Sequence, residues 1–414
     1  MLKYYSICKK SCFDEEIYLI HWRKNCIEGF FFLRLRETLD NKLSNLGKRI
    51  RYRNNKVDEK KLFVMSYDNQ FTCNPRYIVE ELLARKAPIK IVWVINKNKK
   101  ITTPFPKQVT LVPRGTFEMF EEQGSAKVWL DNGLNCVWFN MPKKENQVYI
   151  NTWHGSLGIK KLGGDDFWMS KAKRCNAVTD YLITNSKFEE DVFKNSFWKD
   201  GKFLKYGHAR NDLLLDAHKK AQLDENTRIA LGLSKGTKIA LYAPTFRDNG
   251  DTTAIQVNYP ALKKVLEEKF GGNWEILMRL HFKNRSLALF NNPYPFVHDV
   301  TMYPEMQELL SIADIGITDY SSWAYDFLLT EKPLFILAKD IDMFDNLRGF
   351  YYHLDKTPFP IAVTDSELIE NIKDFNDADY RKKSLDFLEG KGCYEEGKAA
   401  KKVADKICEI MGVK

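Results

Sequence analysis

Residues 148–165 read Val-Tyr-Ile-Asn-Thr-Trp-His-Gly-Ser-Leu-Gly-Ile-Lys-Lys-Leu-Gly-Gly-Asp, and the rest of the chain is organised around them. The apolar run at 148–150 predicts a β-strand, and His154 follows close to its carboxyl end. Glycines let backbone amides approach a ligand. This stretch has four glycines within ten positions, Gly155, Gly158, Gly163 and Gly164, and two lysines, Lys160 and Lys161, lie between them. Because open α/β sheets bind ligands at strand ends, the pattern indicates a base beside a phosphate. A core histidine before a flexible loop is the simpler alternative.

The composition is that of a globular protein with room for two domains. The chain has 414 residues, of which 44% are hydrophobic, and no run reaches the roughly 18 apolar residues that a spanning helix needs. We expect no signal peptide, because Asp14, Glu15 and Glu16 interrupt the N-terminal region. The eight cysteines are scattered without a Cys-x-x-Cys pair, which argues against zinc and favours free thiols in a reducing cytoplasm.

The positive charge is concentrated in residues 1–61. They contain 15 Lys and Arg against 8 Asp and Glu, so they carry +7 of the net +9. Aromatic residues are mixed with these charges, including Trp22 and residues 30–32. Apolar anchors beside a polybasic patch favour attachment to an anionic membrane surface. Packing of the aromatics on the next domain is an equal alternative, and nucleic-acid binding lacks a recognisable motif.

Short apolar runs alternate with helical stretches from residue 62 onward. Strands are predicted at 62–67, 89–94, 109–112, 128–130, 148–150, 181–184 and 203–206, and again at 238–242, 274–280, 315–318 and 334–336. This alternation predicts βα units around parallel sheets, an α/β fold. We predict a basic N-terminal segment at 1–61, a first Rossmann-like domain at 62–225 and a second at 226–414 that includes the C-terminal helices.

The sequence resembles the CDP-glycerol glycerophosphotransferases, the teichoic acid primases and polymerases. The resemblance begins with Thr-Trp-His-Gly at 152–155 and Lys-Lys-Leu-Gly at 160–163, and it extends over roughly 62–340. Matching motifs follow in order at 207–212, 243–248, 279–282 and 319–322. Three positions depart from the family pattern: Ala209 and Phe282 replace prolines, and Phe246 replaces a tryptophan.

The resemblance implies a GT-B arrangement, two Rossmann-like domains facing a cleft, and transfer of glycerol phosphate from CDP-glycerol or of a related polyol phosphate from CDP-ribitol. His154 is the implied general base, and His281 would stabilise charge on the diphosphate or on the leaving CMP. Trp153, Gly155, Lys160 and Lys161 would form the glycine loop on the acceptor side.

Several residues of the second domain are candidates for donor binding. Thr245 and Arg247 follow a predicted strand, Arg279 ends another, and Ser321 and Ser322 start a helix whose N-terminus favours anions. Asp319 should order its turn or bind hydroxyls, and Asp326 could reach the ribose. The alternatives are an interdomain ion pair for Arg247 and N-capping for Asp319, Ser321 and Ser322. Arg210 and Asp212 are interpreted as structural or interdomain residues.

The predicted acceptor is a polyprenyl-linked saccharide or a growing phosphopolymer of the teichoic acid or capsule type. The enzyme would act in the cytoplasm, peripherally on the inner membrane face. An obligatory metal is not indicated, and magnesium dependence stays open. Three rival functions are an ordinary sugar transferase of the same fold, a non-catalytic membrane-bound binding protein and, more remotely, an RNA-binding protein.

Overall fold

The computed structural model describes residues 43, 46–48, 50–52, 54–156, 158, 160–163, 166–196, 198–199, 201–245, 247, 253–280, 293–343 and 349–413. The predictions for His281 and for most of the segment 1–61 therefore lie outside the described residues. Residues 1–55 together with 140–142 form a separate compact unit. Within it, the described residues 43, 46–48 and 50–52 are helical.

The first half of the chain builds a seven-stranded parallel sheet in the order β3-β2-β1-β4-β5-β6-β7. Its strands are β1 Asp58–Met65, β2 Lys90–Ile95, β3 Val109–Pro113, β4 Ala126–Asp131, β5 Val148–Asn151, β6 Tyr181–Thr184 and β7 Lys202–Lys205. The helices along this part are α1 Cys73–Ala84, α2 Phe117–Ser125, α3 Asp166–Val178, α4 Lys187–Ser196, α5 Asp212–Leu215 and α6 Ala217–Ala230.

A second parallel sheet has six strands in the order β10-β9-β8-β11-β12-β13. They are β8 Lys238–Tyr242, β9 Trp274–Met278, β10 Val297–Asp299, β11 Ile315–Thr318, β12 Leu334–Leu337 and β13 Ile361–Ala362. The helices of this part are α7 Tyr259–Phe270, α8 Met306–Ile312, α9 Trp323–Leu328, α10 Asp365–Lys373, α11 Asp377–Gly390 and α12 Ala399–Met411. The predicted α/β class with two Rossmann-like sheets is confirmed, while the predicted domain limits stay predictions.

Apolar runs become strands here because both faces of a parallel sheet are covered. Phe63, Trp93 and Leu130 are fully buried in the first sheet. β1 begins at Asp58, four residues before the predicted Leu62. Its charged start stays extended because it pairs with β2 and β4 and because Lys90 Nζ lies 2.7 Å from an Asp58 carboxylate oxygen. Hydrophobic periodicity carries no signal for such a segment.

The last helix, α12, belongs to the core of the first sheet. Val403 and Ile407 pack in the same buried cluster as Ile78 and Leu82 of α1. The carboxylate of Asp212 accepts hydrogen bonds from the first two backbone amides of α12, at 2.9 and 2.8 Å. Asp212 therefore has the structural role that the sequence suggested. No helix in the described ranges is both long enough and apolar enough to cross a bilayer.

Each sheet reverses its strand order at one place, and these switch points are the expected ligand sites. In the first sheet the reversal falls between β1 and β4, and in the second between β8 and β11. The loops around these two switch points therefore form the candidate site.

Candidate active site

His154 sits at the switch point of the first sheet. Its Nδ1 lies 2.6 Å from the carbonyl oxygen of Asn132, the residue that follows β4. Its ring stacks on Tyr67, which follows β1, with centroids 5.3 Å apart. A carbonyl oxygen can only accept, so Nδ1 carries the proton and the neutral ring presents Nε2 as a hydrogen-bond acceptor.

The backbone before His154 is held in an unusual conformation. Trp153 has φ = 51°, in the left-handed region, which costs a non-glycine residue of the order of 1–3 kcal/mol. Asn74 Nδ2 donates to the carbonyls of Thr152 and Trp153, both at 3.0 Å. The Trp153 ring is 6% exposed and packs edge-on against Trp198 at 5.2 Å. These contacts fix the direction in which His154 leaves the chain.

The environment of His154 favours its neutral form. Desolvation by the surrounding protein lowers the pKa of His154 to about 4, and the positive charge of Arg210 acts in the same direction, whereas the bond to Asn132 opposes it. The residue remains exposed, so solvent moderates this effect. The direction of the shift leaves the ring unprotonated at pH 7.

The glycine loop touches the second domain. Lys160 forms an antiparallel bridge with Phe350, and the backbone amide of Lys161 donates to the Gly349 carbonyl at 3.1 Å. A Cβ on Gly158 would lie 3.0 Å from the Ser156 carbonyl oxygen and 3.6 Å from Ser322 Cβ. The contact with Ser156 lies within the loop and is the tight one, while the distance to Ser322 is an ordinary van der Waals contact, so a side chain at 158 would crowd the loop itself.

A cavity of about 620 Å³ opens beside His154. The four predicted acceptor-side residues, Trp153, Gly155, Lys160 and Lys161, line it together with Ser322 of the second domain. Its other walls come from the loop after β4 and from α3 and α4. The structure therefore brings the predicted base, the glycine loop and one predicted donor-side serine to one cavity.

The phosphate-binding role predicted for Arg247 stays a prediction, and the ion pairs of this residue weigh against it. Its guanidinium is 5% exposed and lies 2.8 Å from an Asp319 carboxylate oxygen and 2.6 Å from one of Asp340. Two carboxylates more than neutralise one cation, so this group is a poor anion site. Asp319 and Asp340 both lie in loops that follow strands of the second sheet, so these two ion pairs lie within the second domain. The sequence motif around Arg247 gives no indication of Asp340, because the two residues are 93 positions apart in the chain.

Asp319 orders the turn at the second switch point, one of the two roles predicted for it. Its carboxylate accepts the backbone amide of Thr245 at 2.8 and 3.0 Å. Thr245 itself offers a buried hydroxyl without a hydrogen-bond partner among the described residues. A hydrogen bond from this hydroxyl to an acceptor atom of a ligand would be favourable, because a buried polar group without a hydrogen bond raises the free energy of the folded protein.

Arg279 and the two serines retain the capacity to bind an anion. Burial lowers the pKa of the Arg279 guanidinium, partly offset by Glu305, and within the described part of the chain no carboxylate lies within ion-pair distance of it. Ser322 is the N-cap position of α9, yet its side chain makes no capping bond. Ser321 and Ser322 are both partly exposed. The Ser322 hydroxyl therefore makes no capping hydrogen bond that would prevent it from donating to a ligand.

The ribose role predicted for Asp326 also stays a prediction, and the buried contacts of this residue weigh against it. Its carboxylate is 3% exposed and pairs with Arg210, whose Nη2 lies 3.1 Å from Oδ2. Asn211 Nδ2 and Gln307 Nε2 donate to the same carboxylate at 2.9 and 3.0 Å. Arg210 also donates to the Gly155 carbonyl at 3.0 Å. Asp326 is thus the centre of an interdomain network, and Arg210 has the interdomain role that the sequence suggested.

Two residues that shape the site, Asn74 and Tyr67, have no motif. Asn74 holds the backbone before His154 through its side-chain amide, and Tyr67 supplies a ring face. Tyr67 follows the end of β1, whereas Asn74 lies in α1. Asn132 belongs to a segment, 124–132, that resembles the family near the acceptor side, but the resemblance does not reveal the contact of its main-chain carbonyl with His154. Across the described ranges, no group of three or more His, Cys, Asp or Glu side chains is placed to hold a metal ion.

Two Rossmann-like domains, with a cavity beside a histidine at one switch point that a serine of the second domain also lines, are the arrangement of a GT-B-type transferase. A family model described as CDP-Glycerol:Poly(glycerophosphate) glycerophosphotransferase matches residues 47–409, so the chain belongs to this family.

Curated relatives and solved structures agree with this assignment. The teichoic acid poly(glycerol phosphate) polymerase of Bacillus spizizenii is 30% identical over 377 residues, which are 84% of this chain and 92% of that protein. The polymerase of the same name from Staphylococcus epidermidis is 30% identical over 359 residues, 81% of this chain but only 48% of that longer protein. A structure of the wall teichoic acid polymerase TagF matches with a TM-score of 0.78 and 26% identity, covering 91% of this chain and 98% of that chain. The predicted family, GT-B-type fold and phosphotransferase class are confirmed.

Proposed function

We propose that this chain transfers glycerol phosphate from CDP-glycerol to a hydroxyl of a lipid-linked saccharide or a growing phosphopolymer and releases CMP. The observation that supports this proposal most strongly is the hydrogen bond of His154. Its Nδ1 donates to the Asn132 carbonyl, so that Nε2 of the neutral imidazole can accept a proton. A fixed tautomer beside a cavity is what a general base requires.

In the proposed step the acceptor oxygen attacks the phosphorus that carries glycerol. His154 Nε2 takes the acceptor proton as the new O–P bond forms. The bond from this phosphorus to the bridging oxygen breaks, and that oxygen leaves as part of CMP. The Asn132 carbonyl stabilises the imidazolium that results, because its hydrogen bond to Nδ1 strengthens when the ring is charged.

Charge on the departing CMP is proposed to be neutralised from the second domain. Arg279 contributes a desolvated cation, and the hydroxyls of Thr245, Ser321 and Ser322 contribute neutral donors. His281 joins this set on the strength of the family resemblance alone. Positioning and charge neutralisation supply most of the catalysis in phosphoryl transfer.

The basic N-terminal segment is proposed to hold the enzyme on an anionic membrane surface, the inner face of the cell membrane. Leu43, Leu46 and Ile50 are 64%, 54% and 68% exposed, and their spacing places them along one helix face. Arg51 is exposed on the same helical stretch. An apolar face beside basic residues is the pattern of an interfacial helix.

The transfer reaction is tested by CMP release from CDP-glycerol and, separately, from CDP-ribitol. Purified full-length protein is supplied with a mixture of lipid-linked saccharide acceptors, and His154→Ala serves as the inactive control. We expect release with CDP-glycerol and a drop of about 10²-fold or more in the variant. Release with CDP-ribitol alone would change the donor, and near-normal turnover by a folded His154→Ala protein would remove the base assignment.

The membrane proposal is tested by cosedimentation with anionic vesicles. Deletion of residues 1–55 leaves β1 intact, since that strand begins at Asp58. We expect the deletion, and a Leu43→Ser, Leu46→Ser, Ile50→Ser triple variant, to lose vesicle binding while CMP release with a water-soluble acceptor persists. Unchanged vesicle binding after the deletion would refute the proposal.

A further inference from the structure

We propose that Trp138, Phe167 and Lys171 form a subsite for a sugar ring of the acceptor, in the same cavity as His154. This inference rests on the proposed transfer reaction and narrows its acceptor to a saccharide. The three residues lie after β4 and on α3, outside the motifs that carry the family resemblance, and all three line the 620 Å³ cavity.

The two aromatic side chains are exposed where large aromatics are normally buried. Trp138 is 41% exposed and Phe167 is 57% exposed. Their rings meet edge to face at 5.7 Å with an interplanar angle of 80°. An exposed aromatic pair in a concave wall marks a binding site, because the free energy falls when a ligand covers apolar surface that water would otherwise contact.

Lys171 fixes this pair. Its side chain is 8% exposed, and its Nζ donates to the Trp138 carbonyl at 3.1 Å. The same Nζ lies 5.2 Å from the Phe167 ring centroid and 5.8 Å from that of Trp138. Phe167 and Lys171 are four positions apart on α3, so they share a helix face. The lysine thus orients the aromatics before any ligand arrives, which reduces the ordering cost of binding.

The chemistry of the whole cavity selects among possible occupants. A sugar ring has an apolar C–H face that can lie on an aromatic ring and hydroxyls around its rim. Asn135, Ser156 and Lys160 line the same cavity and can meet such hydroxyls or a neighbouring phosphate. A bare polyol-phosphate chain has no ring face to cover Trp138 and Phe167. A hydrocarbon tail would desolvate the polar groups without replacing their hydrogen bonds.

The test compares two soluble acceptor analogues, a short-chain prenyl diphosphate disaccharide without polyol phosphate and a sugar-free glycerol phosphate oligomer. Trp138→Ala and Phe167→Ala are measured beside Trp138→Tyr, which keeps an aromatic face, and Phe117→Ala, which removes a 65% exposed phenylalanine that does not line the cavity. We expect the KM for the disaccharide acceptor to rise about tenfold in the two alanine variants. Their kcat at saturating acceptor and their KM for CDP-glycerol should stay near wild type. Trp138→Tyr should recover most of the loss, and Phe117→Ala should match wild type.

Calorimetric titration of the disaccharide analogue, without donor, separates this inference from the proposed function. Weaker binding by Trp138→Ala supports the sugar subsite even if CDP-glycerol proves not to be the donor. Equal disaccharide binding by wild type and both alanine variants overturns the subsite while leaving the transfer reaction intact. A KM that rises equally for the glycerol phosphate oligomer also overturns it, because the wall would then bind the polyol-phosphate chain.

Discussion

The buried pair of Arg210 and Asp326 gives the sharpest test of how the two domains are joined. Both side chains are 4% exposed, and Nη2 and Nε of Arg210 lie 3.1 and 3.2 Å from Asp326 Oδ2. Removing one partner leaves the other charge buried and unpaired, which costs about 3–5 kcal/mol. We therefore expect Arg210→Met to lower the free energy of unfolding by that amount. Asp326→Asn should cost a similar amount, because it leaves the Arg210 cation buried without a carboxylate, although an amide keeps the size of the group and part of its hydrogen bonding.

A double variant tests whether the unpaired buried charge, and not the lost contact alone, causes the destabilisation. Arg210→Met combined with Asp326→Leu removes both charges, so it should be clearly more stable than Arg210→Met alone. The control is Glu268→Gln, which breaks an ion pair with Lys264 whose side chains are 56% and 77% exposed. Exposed pairs contribute about 0–1 kcal/mol, so this variant should behave like wild type. Chemical unfolding followed by fluorescence and by circular dichroism measures the four variants and the wild type, and the two signals check whether the domains unfold together.

Donor binding by Asp326→Asn decides between the interdomain role and the ribose role of Asp326. If the carboxylate holds the domains together, the variant loses stability and binds CDP-glycerol with near-normal affinity. The opposite result, unchanged stability with a markedly weaker affinity for CDP-glycerol, would refute the reasoning and return Asp326 to the donor site.

Three further predictions follow from the described contacts. The acid limb of the pH profile of kcat/KM should lie below 6.5, because a lowered pKa keeps His154 in its basic form to a lower pH; a limb at or above 6.5 would contradict this. Burial raises the pKa of Glu395 from its ordinary value of 4.5 to about 7. Its contribution to stability is therefore complete below pH 4.5 and is lost as the pH rises through 7, so melting temperatures of Glu395→Gln should decline less over this interval than those of wild type. Gly207 and Gly236 share φ = +83°, but only a Cβ at 207 would meet another atom within 4 Å, 2.5 Å from a Glu395 oxygen. Gly207→Ala should thus destabilise by about 1–3 kcal/mol more than Gly236→Ala in chemical unfolding, and equal losses would exclude the clash.

The sheets could be predicted from the sequence because burial of both faces forces apolar runs onto the strands. Val148–Asn151 and Ile315–Thr318 illustrate this, since six of these eight residues are apolar or glycine. The start of β1 could not be predicted, because residues 58–61 are charged. They are extended only because neighbouring strands pair with them.

The roles of individual charged residues were harder to predict than the fold. Arg247 stands in a motif and Asp326 in the helix after one, and both residue types suggest ligand contact, but each meets its partner over a long chain separation, 93 and 116 positions. A motif shows which residue types occur close together along the chain. It does not show which carboxylate pairs with a guanidinium in the folded structure. The position of His154 beside the cavity was easier to predict, because the carboxyl ends of strands in an open α/β sheet are where ligands bind.

Main-chain contacts are a second reason why sequence alone falls short at the site. The Asn132 carbonyl that fixes the His154 tautomer could belong to any residue type, so no side-chain pattern announces it. The left-handed φ of Trp153 is similarly invisible, because it is imposed by Asn74 and by packing against Trp198.

The distribution of charge between the two switch points bears on how the reaction would be driven. At the second switch point the Arg247 cation is already matched by two carboxylates, so it adds little attraction for a diphosphate. Arg279 is desolvated instead, and desolvation strengthens its interaction with any anion that replaces water there. A cation of this kind stabilises a growing negative charge more than a solvated one, because no water must reorganise around it. At the first switch point His154 has the complementary property, a neutral ring that becomes more basic when an anionic donor binds nearby. The donor phosphates would therefore raise the affinity of His154 for the acceptor proton at the moment when that proton must move.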